Sequence, residues 1–403
     1  MGTKKEVRKQ KDITDSLKHD KRYRRFVKAA VPIIEGIYTR KLNLTYDPLP
    51  KIDGPCLYMA NHTTDMDPEI VFFPIREHAY CVAAENILRS GFWGKVLTYF
   101  VNPIYINKNA MDYRAITDVL KVIKAGKKVI LFPEGNRSFD GLTAPVGEST
   151  AKLVQKAKCD LILLRIEGGF FTQPRFAKGL RKGKMHISFA EHLTSEDVRE
   201  LDTSELTSLI NEKLYENAYE RQKEWKVDYK GKNLAEYMES TLFLCPSCRK
   251  FGKLYSKGDV LSCECGYSLM FTKRGEILDP RHKSHTLYEF TEFQKEELKR
   301  RMEDSSTLLF EDKVSLFAVK NHKRKAKSDI IIKTYTDRVV YSDILDMQKE
   351  KELNLKDVLS ISIFNRNKLS LNMVSGEIYE LRGEDSFNAL KYSYYLDYMK
   401  EGE

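Results

Sequence analysis

The sequence lacks a long apolar run. None of its hydrophobic stretches approaches the ~20 consecutive apolar residues that span a bilayer, so we expect no transmembrane helix. A secretory signal is missing too, because the first apolar stretch (29–38) is short and is interrupted by Pro32 and Glu35. Glu6 stands where a myristoylation signal requires Ser or Thr. These absences predict a cytoplasmic protein that is peripheral on the cytoplasmic membrane face.

Cysteine is scarce outside one cluster. Four of the seven cysteines lie between positions 245 and 265, as Cys245-x-x-Cys248 and Cys263-x-Cys265. Four thiolates at such spacing are typical of a closed structural zinc site, which leaves no coordination position for catalysis. We therefore predict a zinc ribbon and no catalytic metal, with chance clustering as the alternative. Reduced cysteines suit a cytosolic compartment.

Positive charge is in excess, and much of it lies near the N-terminus. The net charge is +10, and eleven basic residues precede position 29, including Lys4, Lys5, Arg8, Lys9, Lys11, Lys21, Arg22, Arg24, Arg25 and Lys28. Such a segment can bind nucleic acid or an anionic membrane. The chain shows no recognition-helix motif and no regularly spaced stacking aromatics, so we expect no nucleic-acid partner. The apolar stretch 29–38 follows directly and favours an anionic membrane surface; a solvated tail is the alternative.

Short apolar runs alternate with helical patterns in the first half of the chain. Strands are expected at 56–60, 79–83, 103–106, 129–132, 161–166 and 185–189, and helices at 86–100, 116–123, 148–158 and 195–225. Alternation of this kind predicts an α/β fold, in which a mixed sheet is flanked by helices.

The pattern changes in the second half. After a charged helix at 286–302, short strands are expected at 314–319, 330–334, 338–341, 358–364, 368–374 and 378–381, followed by a helix at 385–400. A strand meander closed by a helix resembles the pleckstrin-homology-like fold. Its basic loop, 321–327, could meet phosphorylated headgroups or be a solvated loop. We thus expect a basic segment (1–30), an α/β domain (31–230), a zinc ribbon (240–275), a connecting helix (282–304) and a mainly β domain (305–403).

Two polar motifs follow two of the predicted strands. ANHTTDMDP begins at Ala60, and FPEGNRS begins at Phe132. Because the loops at the carboxyl ends of parallel strands converge at one sheet edge, we expect the motifs to lie together. His62 then supplies a base whose ordinary pKa is near neutral pH, and Asp67 a carboxylate to orient it. Arg137 offers a planar fork for phosphate oxygens.

The spacing of His62 and Asp67 constrains their local structure. Residues five apart on a continuous helix do not share a face. We therefore expect His62 in a turn, Thr63 or Asp65 as the cap of the following helix, and Asp67 in the first turn of that helix. Glu134 is expected to contact the acceptor or to order Arg137, with a purely structural turn as the alternative.

The two motifs resemble the H-x4-D and F-P-E-G-[TN]-R-S signatures of the 1-acyl-glycerol-3-phosphate acyltransferases and related glycerolipid acyltransferases, over about 31–225. The resemblance implies that His62 is the catalytic base and Asp67 its partner. It also implies a substrate-binding set made of Glu134, Gly135, Asn136, Arg137, Ser138 and Lys108. Lys108 stands where the family has arginine, and Arg165 replaces a proline of a further motif, so acceptor and donor preference stay open.

The resemblance implies an enzyme of phospholipid biosynthesis. It would transfer a fatty acyl group from acyl-CoA or acyl-carrier protein to a lysophospholipid, above all 1-acyl-glycerol-3-phosphate, giving phosphatidate. The alternatives are another lysolipid or an aminolipid acceptor, or a non-catalytic lipid-binding scaffold. The sequence gives no indication of the oligomeric state.

Overall fold

The computed structural model describes residues 13–84, 103–106, 113–304, 306–320 and 323–401. The chain divides into two compact units. Unit 1 comprises Met1–Ser138, Leu142–Thr172 and Gly183–Arg221, and unit 2 comprises Phe139–Gly141, Gln173–Lys182 and Gln222–Glu403. The predicted helix at 86–100 and the predicted phosphate ligand Lys108 lie outside the described residues.

Unit 1 is built on a mixed sheet, as predicted. Its seven described strands are β1 (Leu44–Tyr46), β2 (Cys56–Ala60), β3 (Tyr80–Ala84), β4 (Ile104–Ile106), β5 (Lys128–Leu131), β6 (Asp160–Glu167) and β7 (Met185–Leu193). They follow the order β1-β7-β6-β2-β5-β3-β4. The pairing of β6 with β7 is antiparallel, and the other pairings are parallel. This arrangement places β2 at the centre, between β5 and β6.

Helices accompany this sheet along the chain. Those described are α1 (Ile13–Leu17), α2 (Asp20–Leu42), α3 (Asp67–Ile70), α4 (Phe72–Ile75), α5 (Tyr113–Lys124), α6 (Glu148–Ala157), α7 (Gly169–Thr172), α8 (Ser195–Glu200), α9 (Thr203–Leu214) and α10 (Ala218–Trp225). All five residues of β2 are buried, which explains its uninterrupted apolar sequence because a central parallel strand is covered on both faces. Helical residues such as Val119, Val154 and Ile210 join β2 in one apolar core.

The single long helix predicted at 195–225 is wrong. Three helices, α8, α9 and α10, occupy this segment, because the chain is extended at Leu201 and at Tyr215. Asp202 begins α9 with a capping box, in which its side chain accepts the N–H of Glu205 and Glu205 returns the bond. This pairing satisfies two N–H groups at a helix start, so a new helix begins there in place of a continuation.

The first half of unit 2 contains a small antiparallel sheet. Its described strands are β8 (Leu254–Lys257), β9 (Val260–Cys263), β10 (Ser268–Phe271), β11 (Ile277–Leu278) and β12 (Ser284–His285), in the order β12-β11-β10-β9-β8. Helix α11 (Leu287–Met302) follows and begins with a capping box between Thr286 and Glu289. The predicted helix at 286–302 is thereby confirmed.

The second half of unit 2 is a β-rich module with a C-terminal helix, as predicted. Its strands are β13 (Leu308–Lys320), β14 (Lys323–Tyr335), β15 (Val339–Asp343), β16 (Asp346–Leu353), β17 (Val358–Phe364), β18 (Lys368–Met373) and β19 (Ile378–Arg382), followed by α12 (Leu390–Glu401). The order is β16-β15-β14-β13-β19-β18-β17, with antiparallel neighbours. It is a meander whose first and last strands pair.

Several elements of this module differ from the prediction. Strands β13 and β14 are longer than the predicted strands at 314–319 and 330–334, and β14 includes residues 323–327 of the predicted basic loop. Strand β16 was not predicted, because its sequence DMQKEKEL is charged and all but its last residue are exposed. An edge strand of this kind needs no apolar face, and its charges discourage pairing with other chains. Helix α12 begins at Leu390 and not at 385, with the Asn388 side chain accepting the N–H of Lys391 near its start.

Candidate active site

The two polar motifs meet at one edge of the unit 1 sheet. Strands β2 and β5 are parallel neighbours, with Met59 paired to Leu131, so the chain leaves both strands side by side. The His62 ring lies 4.8 Å from the Phe132 ring, centroid to centroid. At the end of the second motif, the Ser138 N–H donates to the His62 carbonyl at 2.9 Å. The predicted convergence therefore follows from strand order.

His62 and Asp67 form a hydrogen-bonded pair. The distance from His62 Nδ1 to Asp67 Oδ2 is 2.8 Å. The Asp67 side chain is fully buried, whereas 19% of the His62 side chain is exposed. A neutral imidazole that donates its Nδ1–H to the carboxylate presents the lone pair of Nε2. The pair can therefore accept a proton from a molecule that approaches the exposed edge of the ring.

Asp67 also fixes the turn that carries His62. Its carboxylate accepts the N–H groups of Thr63 at 2.5 Å and Thr64 at 2.9 Å, and the Thr64 hydroxyl at 2.5 Å. The expected capping by Thr63 or Asp65 is wrong, because Met66 is the N-cap of α3 and makes no side-chain cap bond. Asp67 does lie in the first turn of α3, as predicted. One buried carboxylate thus orients both the imidazole and its backbone.

Glu134 holds the backbone on both sides of the site. Its Oε1 accepts the N–H of His62 at 2.6 Å, and its Oε2 accepts the N–H of Ala144 at 2.8 Å. Both carboxylate oxygens therefore bond to the protein backbone, which indicates a positioning role for Glu134 next to the proposed base. This bonding explains why an acidic side chain suits the position better than a neutral one.

Arg137 lies against the His62 turn. Its Nε donates to the Thr63 carbonyl at 3.1 Å, and its Nη1 forms an ion pair with Asp65 at 2.7 Å. Only 12% of the Arg137 side chain is exposed, compared with 69% for Asp65. Gly135 has a backbone φ of +70°, which favours glycine because a side chain is strained in the left-handed region. A cationic group is thus fixed beside the proposed base.

Two further residues, which were not predicted from the sequence, shape this site. The Asn61 side chain accepts the N–H of Ile166 at 2.6 Å and donates to its carbonyl at 3.0 Å, which ties the end of β2 to β6. Gly169 packs against the His62 turn so closely that a Cβ there would lie 2.1 Å from Thr63 Oγ1. Asn61 directly precedes His62 in the sequence, which was an available signal, whereas the Gly169 contact depends on tertiary structure.

Most large side chains of the aromatic and basic segment 170–182 are buried, whereas Lys178 and Lys182 are exposed. Phe170, Phe171 and Phe176 are buried. Arg181 is also buried and donates to the Leu234 carbonyl. Arg175 is buried and donates to the Ile363 carbonyl at 3.0 Å. These five side chains therefore belong to core packing.

The four clustered cysteines converge in unit 2. Their Sγ atoms all lie within 4.8 Å of one another. The Sγ atoms of Cys245 and Cys265 are 3.8 Å apart, and those of Cys248 and Cys263 are 3.7 Å apart. Backbone hydrogen bonding from Tyr267 lowers the pKa of Cys265 to about 7, so this thiol is partly ionised at neutral pH. Burial raises the pKa of Cys263 to about 12.

Comparisons with known proteins match the half of the chain that holds the His62 site. Residues 39–167 match the family model described as Acyltransferase. A 1-acyl-sn-glycerol-3-phosphate acyltransferase of Borreliella burgdorferi is 24% identical over 163 residues, which are 39% of this chain and 64% of that protein. The chloroplastic 1-acyl-sn-glycerol-3-phosphate acyltransferase BAT2 of Brassica napus is 26% identical over 137 residues, 33% of this chain and 38% of that protein.

A solved structure is similar over a comparable range. The crystal structure of the 1-acyl-sn-glycerophosphate acyltransferase PlsC from Thermotoga maritima has 19% sequence identity and a TM-score of 0.39, and the match covers 51% of this chain and 81% of that one. The chain spans less than two thirds of the length of each curated relative named above. Residues 39–167 thus match an acyltransferase domain, and both curated relatives are 1-acyl-sn-glycerol-3-phosphate acyltransferases.

Proposed function

We propose that this chain, through its acyltransferase domain, transfers a fatty acyl group from acyl-CoA or acyl-carrier protein to the free hydroxyl of a lysophospholipid. The acceptor is 1-acyl-glycerol-3-phosphate, and the product is phosphatidate. The observation that carries the proposal is the buried Asp67 carboxylate at 2.8 Å from His62 Nδ1, with the Arg137 guanidinium bonded to the same turn. Base, orienting acid and cation are the groups that this reaction requires.

The proposed reaction needs no covalent enzyme intermediate, because the thioester is already activated. His62 Nε2 takes the proton of the acceptor hydroxyl while its oxygen attacks the thioester carbonyl. The tetrahedral intermediate collapses as the carbon–sulfur bond breaks, and the departing thiolate receives the proton from the imidazolium. Asp67 stabilises the imidazolium that forms between the two steps, as in other His–carboxylate pairs.

Arg137 supports an acceptor that carries phosphate. A guanidinium binds phosphate oxygens through charge-assisted hydrogen bonds in a planar geometry. Because its Nε is bonded to the Thr63 carbonyl, the group keeps a fixed position relative to His62. Gly135, Asn136 and Ser138 belong to the same turn and contribute its backbone, and Lys108 is proposed as a second phosphate ligand.

Helix α2 supports contact with an anionic membrane. Among its exposed residues, Lys21, Arg24, Arg25 and Lys28 come first. Ile33 and Ile37 follow, with 68% and 56% of their surface exposed. No described helix is long and apolar enough to cross a membrane. A basic stretch followed by exposed apolar residues suits peripheral binding. The basic side chains can pair with anionic headgroups, and the apolar side chains can be buried at the edge of the acyl-chain region.

Vesicle co-sedimentation tests the membrane contact. We expect Ile33→Asp to reduce sedimentation with phosphatidylglycerol vesicles, whereas Leu345→Asp, at a residue of unit 2 that is 95% exposed, serves as the matched control. If both variants and the parent chain sediment equally with the vesicles, the proposed membrane contact through α2 is refuted.

A comparison of two histidine variants tests the enzymatic function. His62→Ala should abolish the conversion of lysophosphatidate and acyl-CoA, or acyl-carrier protein, to phosphatidate. His192→Ala is the matched control, because His192 also pairs with an aspartate, Asp160 at 3.1 Å, but lies in β7 away from the two motifs. Circular dichroism of both variants shows whether they fold. A folded His62→Ala variant with undiminished turnover would refute the role of His62.

A panel of acceptors separates the proposal from its alternatives. The substitution of Lys108 for the family's arginine and of Arg165 for its proline favours testing other lysolipids and aminolipids beside lysophosphatidate. If one of these lipids is turned over faster than lysophosphatidate, the proposed acceptor is replaced by that lipid, and the proposed acyl-transfer chemistry is retained. Vesicle binding without acyl transfer from either donor to any acceptor would favour a lipid-binding scaffold.

A further inference from the structure

We propose that Cys245, Cys248, Cys263 and Cys265 bind one zinc ion, and that this ion stabilises the core of the β-rich module in the same unit. The inference concerns unit 2 alone and is independent of acyl transfer. It is carried by the spacing of the four sulfur atoms and by the residues that connect them to α11 and β13.

Two of the sulfur pairs have the spacing of ligands on a tetrahedral metal, and all four sulfur atoms lie within 4.8 Å of one another. Zinc binds thiolate sulfur at about 2.3 Å, so two ligands at the tetrahedral angle are about 3.8 Å apart. The observed pairs, Cys245 with Cys265 and Cys248 with Cys263, are 3.8 and 3.7 Å apart. A disulfide would require about 2.05 Å, so neither pair is bonded. Four thiolates without an oxygen or imidazole ligand favour zinc over magnesium or calcium.

The backbone around the cysteines is shaped as two tight turns. In the first, the Arg249 N–H donates to the Cys245 carbonyl at 2.9 Å, and Arg249 has a φ of +57°. In the second, the Gly266 N–H donates to the Cys263 carbonyl at 2.9 Å, and Gly266 has a φ of +91°. Each turn directs two sulfur atoms to the same point. The one-residue spacing of Cys263 and Cys265 is therefore compatible with a shared ion.

The first turn lies at the tip of a short hairpin whose base belongs to the module core. Phe243, Leu244 and Phe251 are members of, or pack against, the apolar cluster that contains β13 and α12 residues. The Phe251 ring is 5.9 Å from that of Phe243 and 5.8 Å from that of Phe310 in β13. The Gly252 N–H closes the hairpin by donating to the Phe243 carbonyl at 3.1 Å.

Helix α11 holds the same turn from another direction. Glu297, only 4% of whose side chain is exposed, forms ion pairs with Arg300 at 2.8 Å and Arg301 at 2.9 Å, and contacts Arg249 at 3.4 Å. Arg301 also donates to the Arg249 carbonyl. A metal that fixes Cys245 and Cys248 therefore also fixes residues that pack on α11 and β13. Without it, the hairpin has fewer restraints, and we expect the core beneath it to open more often.

The first experiment measures metal content in the full chain. Purified under reducing conditions, it should contain about one zinc per chain, bound with release of thiol protons. Cys248→Ala should lose most of this zinc, whereas Cys81→Ala, a buried cysteine of unit 1, should retain it. If Cys248→Ala fails to fold, cobalt substitution of the unaltered chain gives the same answer through the absorption of tetrahedral cobalt thiolate. A chain without stoichiometric zinc and without that spectrum would overturn the proposal.

The second experiment tests the link to the module. Hydrogen exchange of the unaltered full chain is compared before and after the zinc is removed with a chelator. We expect exchange in β13 and α11 to accelerate at least about tenfold, because local opening becomes more favourable, with no change in β2 and β5 of unit 1. If zinc is released and hydrogen exchange in β13 and α11 stays unchanged, the cysteines still form a metal site, but the proposed stabilisation of the module core is refuted.

Discussion

Gly169 should be essential to the geometry of the proposed base, although it makes no contact with a substrate in our mechanism. A methyl group at this position would lie 2.1 Å from Thr63 Oγ1 and 2.9 Å from Thr63 Cβ. Relief to an ordinary contact of about 3.4 Å requires a displacement of about 1.3 Å if the movement is directly away from the methyl group. Thr63 donates its N–H to the Asp67 carboxylate at 2.5 Å, so its displacement would disturb the pair of Asp67 with His62.

The expected effect of Gly169→Ala can be given a magnitude. A displacement of about 1 Å in a catalytic group costs about 100-fold in rate, which corresponds to about 2.7 kcal/mol of activation free energy. Overpacking should also lower the free energy of unfolding by about 1–3 kcal/mol. We expect kcat to fall accordingly, with a smaller change in KM. The assay is steady-state acyl transfer, with urea unfolding of the same preparations.

Two further variants make this prediction specific. Gly147→Ala is the control, since a Cβ at Gly147 meets nothing within 4 Å and its φ of −83° suits alanine. Thr63→Ala in the Gly169→Ala background removes the nearest atom and should recover about tenfold of the activity through a favourable coupling energy. A Gly169→Ala variant with the kcat of the parent chain, or a double variant without any recovery, would refute the reasoning.

Two other substitutions test electrostatic features of unit 1. Glu134→Gln should lower kcat about tenfold with little change in the acceptor KM. The reason is that the amide nitrogen of Gln would face the N–H group of either His62 or Ala144, which it cannot accept. A raised KM at unchanged kcat would instead indicate that Glu134 binds the acceptor. Burial raises the pKa of Glu216 from 4.5 to about 7, with Arg221 opposing the shift. The folded state therefore binds the proton more tightly, so the free energy of unfolding should fall by about 3 kcal/mol as the pH rises through this window. Urea unfolding between pH 4.5 and 7 should show a flatter dependence for Glu216→Gln, and equal slopes would contradict the assignment.

The sequence predicted those features that depend on neighbouring residues and on strand order. An uninterrupted apolar strand before His62 and a second such strand before Glu134 predicted that the two motifs lie together at one sheet edge. The fixed cysteine spacing likewise predicted the convergence of four sulfur atoms. For the two motifs, the local pattern and the parallel pairing of strands were sufficient. For the cysteines, their spacing was sufficient.

Features that depend on partners distant in the sequence were missed. The bond from Glu134 to Ala144 and the approach of Gly169 to Thr63 involve residues whose proximity no local pattern reveals. The burial of Arg175, whose guanidinium lies 3.8 Å from the Phe139 ring, also depends on tertiary packing. The charged edge strand β16 was missed because it lacks the alternating apolar pattern on which strand prediction depends.

The clamp that Asn61 forms on β6 has a consequence for how substrates are bound. By pairing with both backbone groups of Ile166, this side chain continues the sheet one step past the last residue of β2. The imidazole therefore follows directly on the central strand of the sheet, and a substrate of the proposed reaction need not immobilise it. Because little conformational entropy is lost at that moment, more of the association free energy is retained for holding the two reactants together.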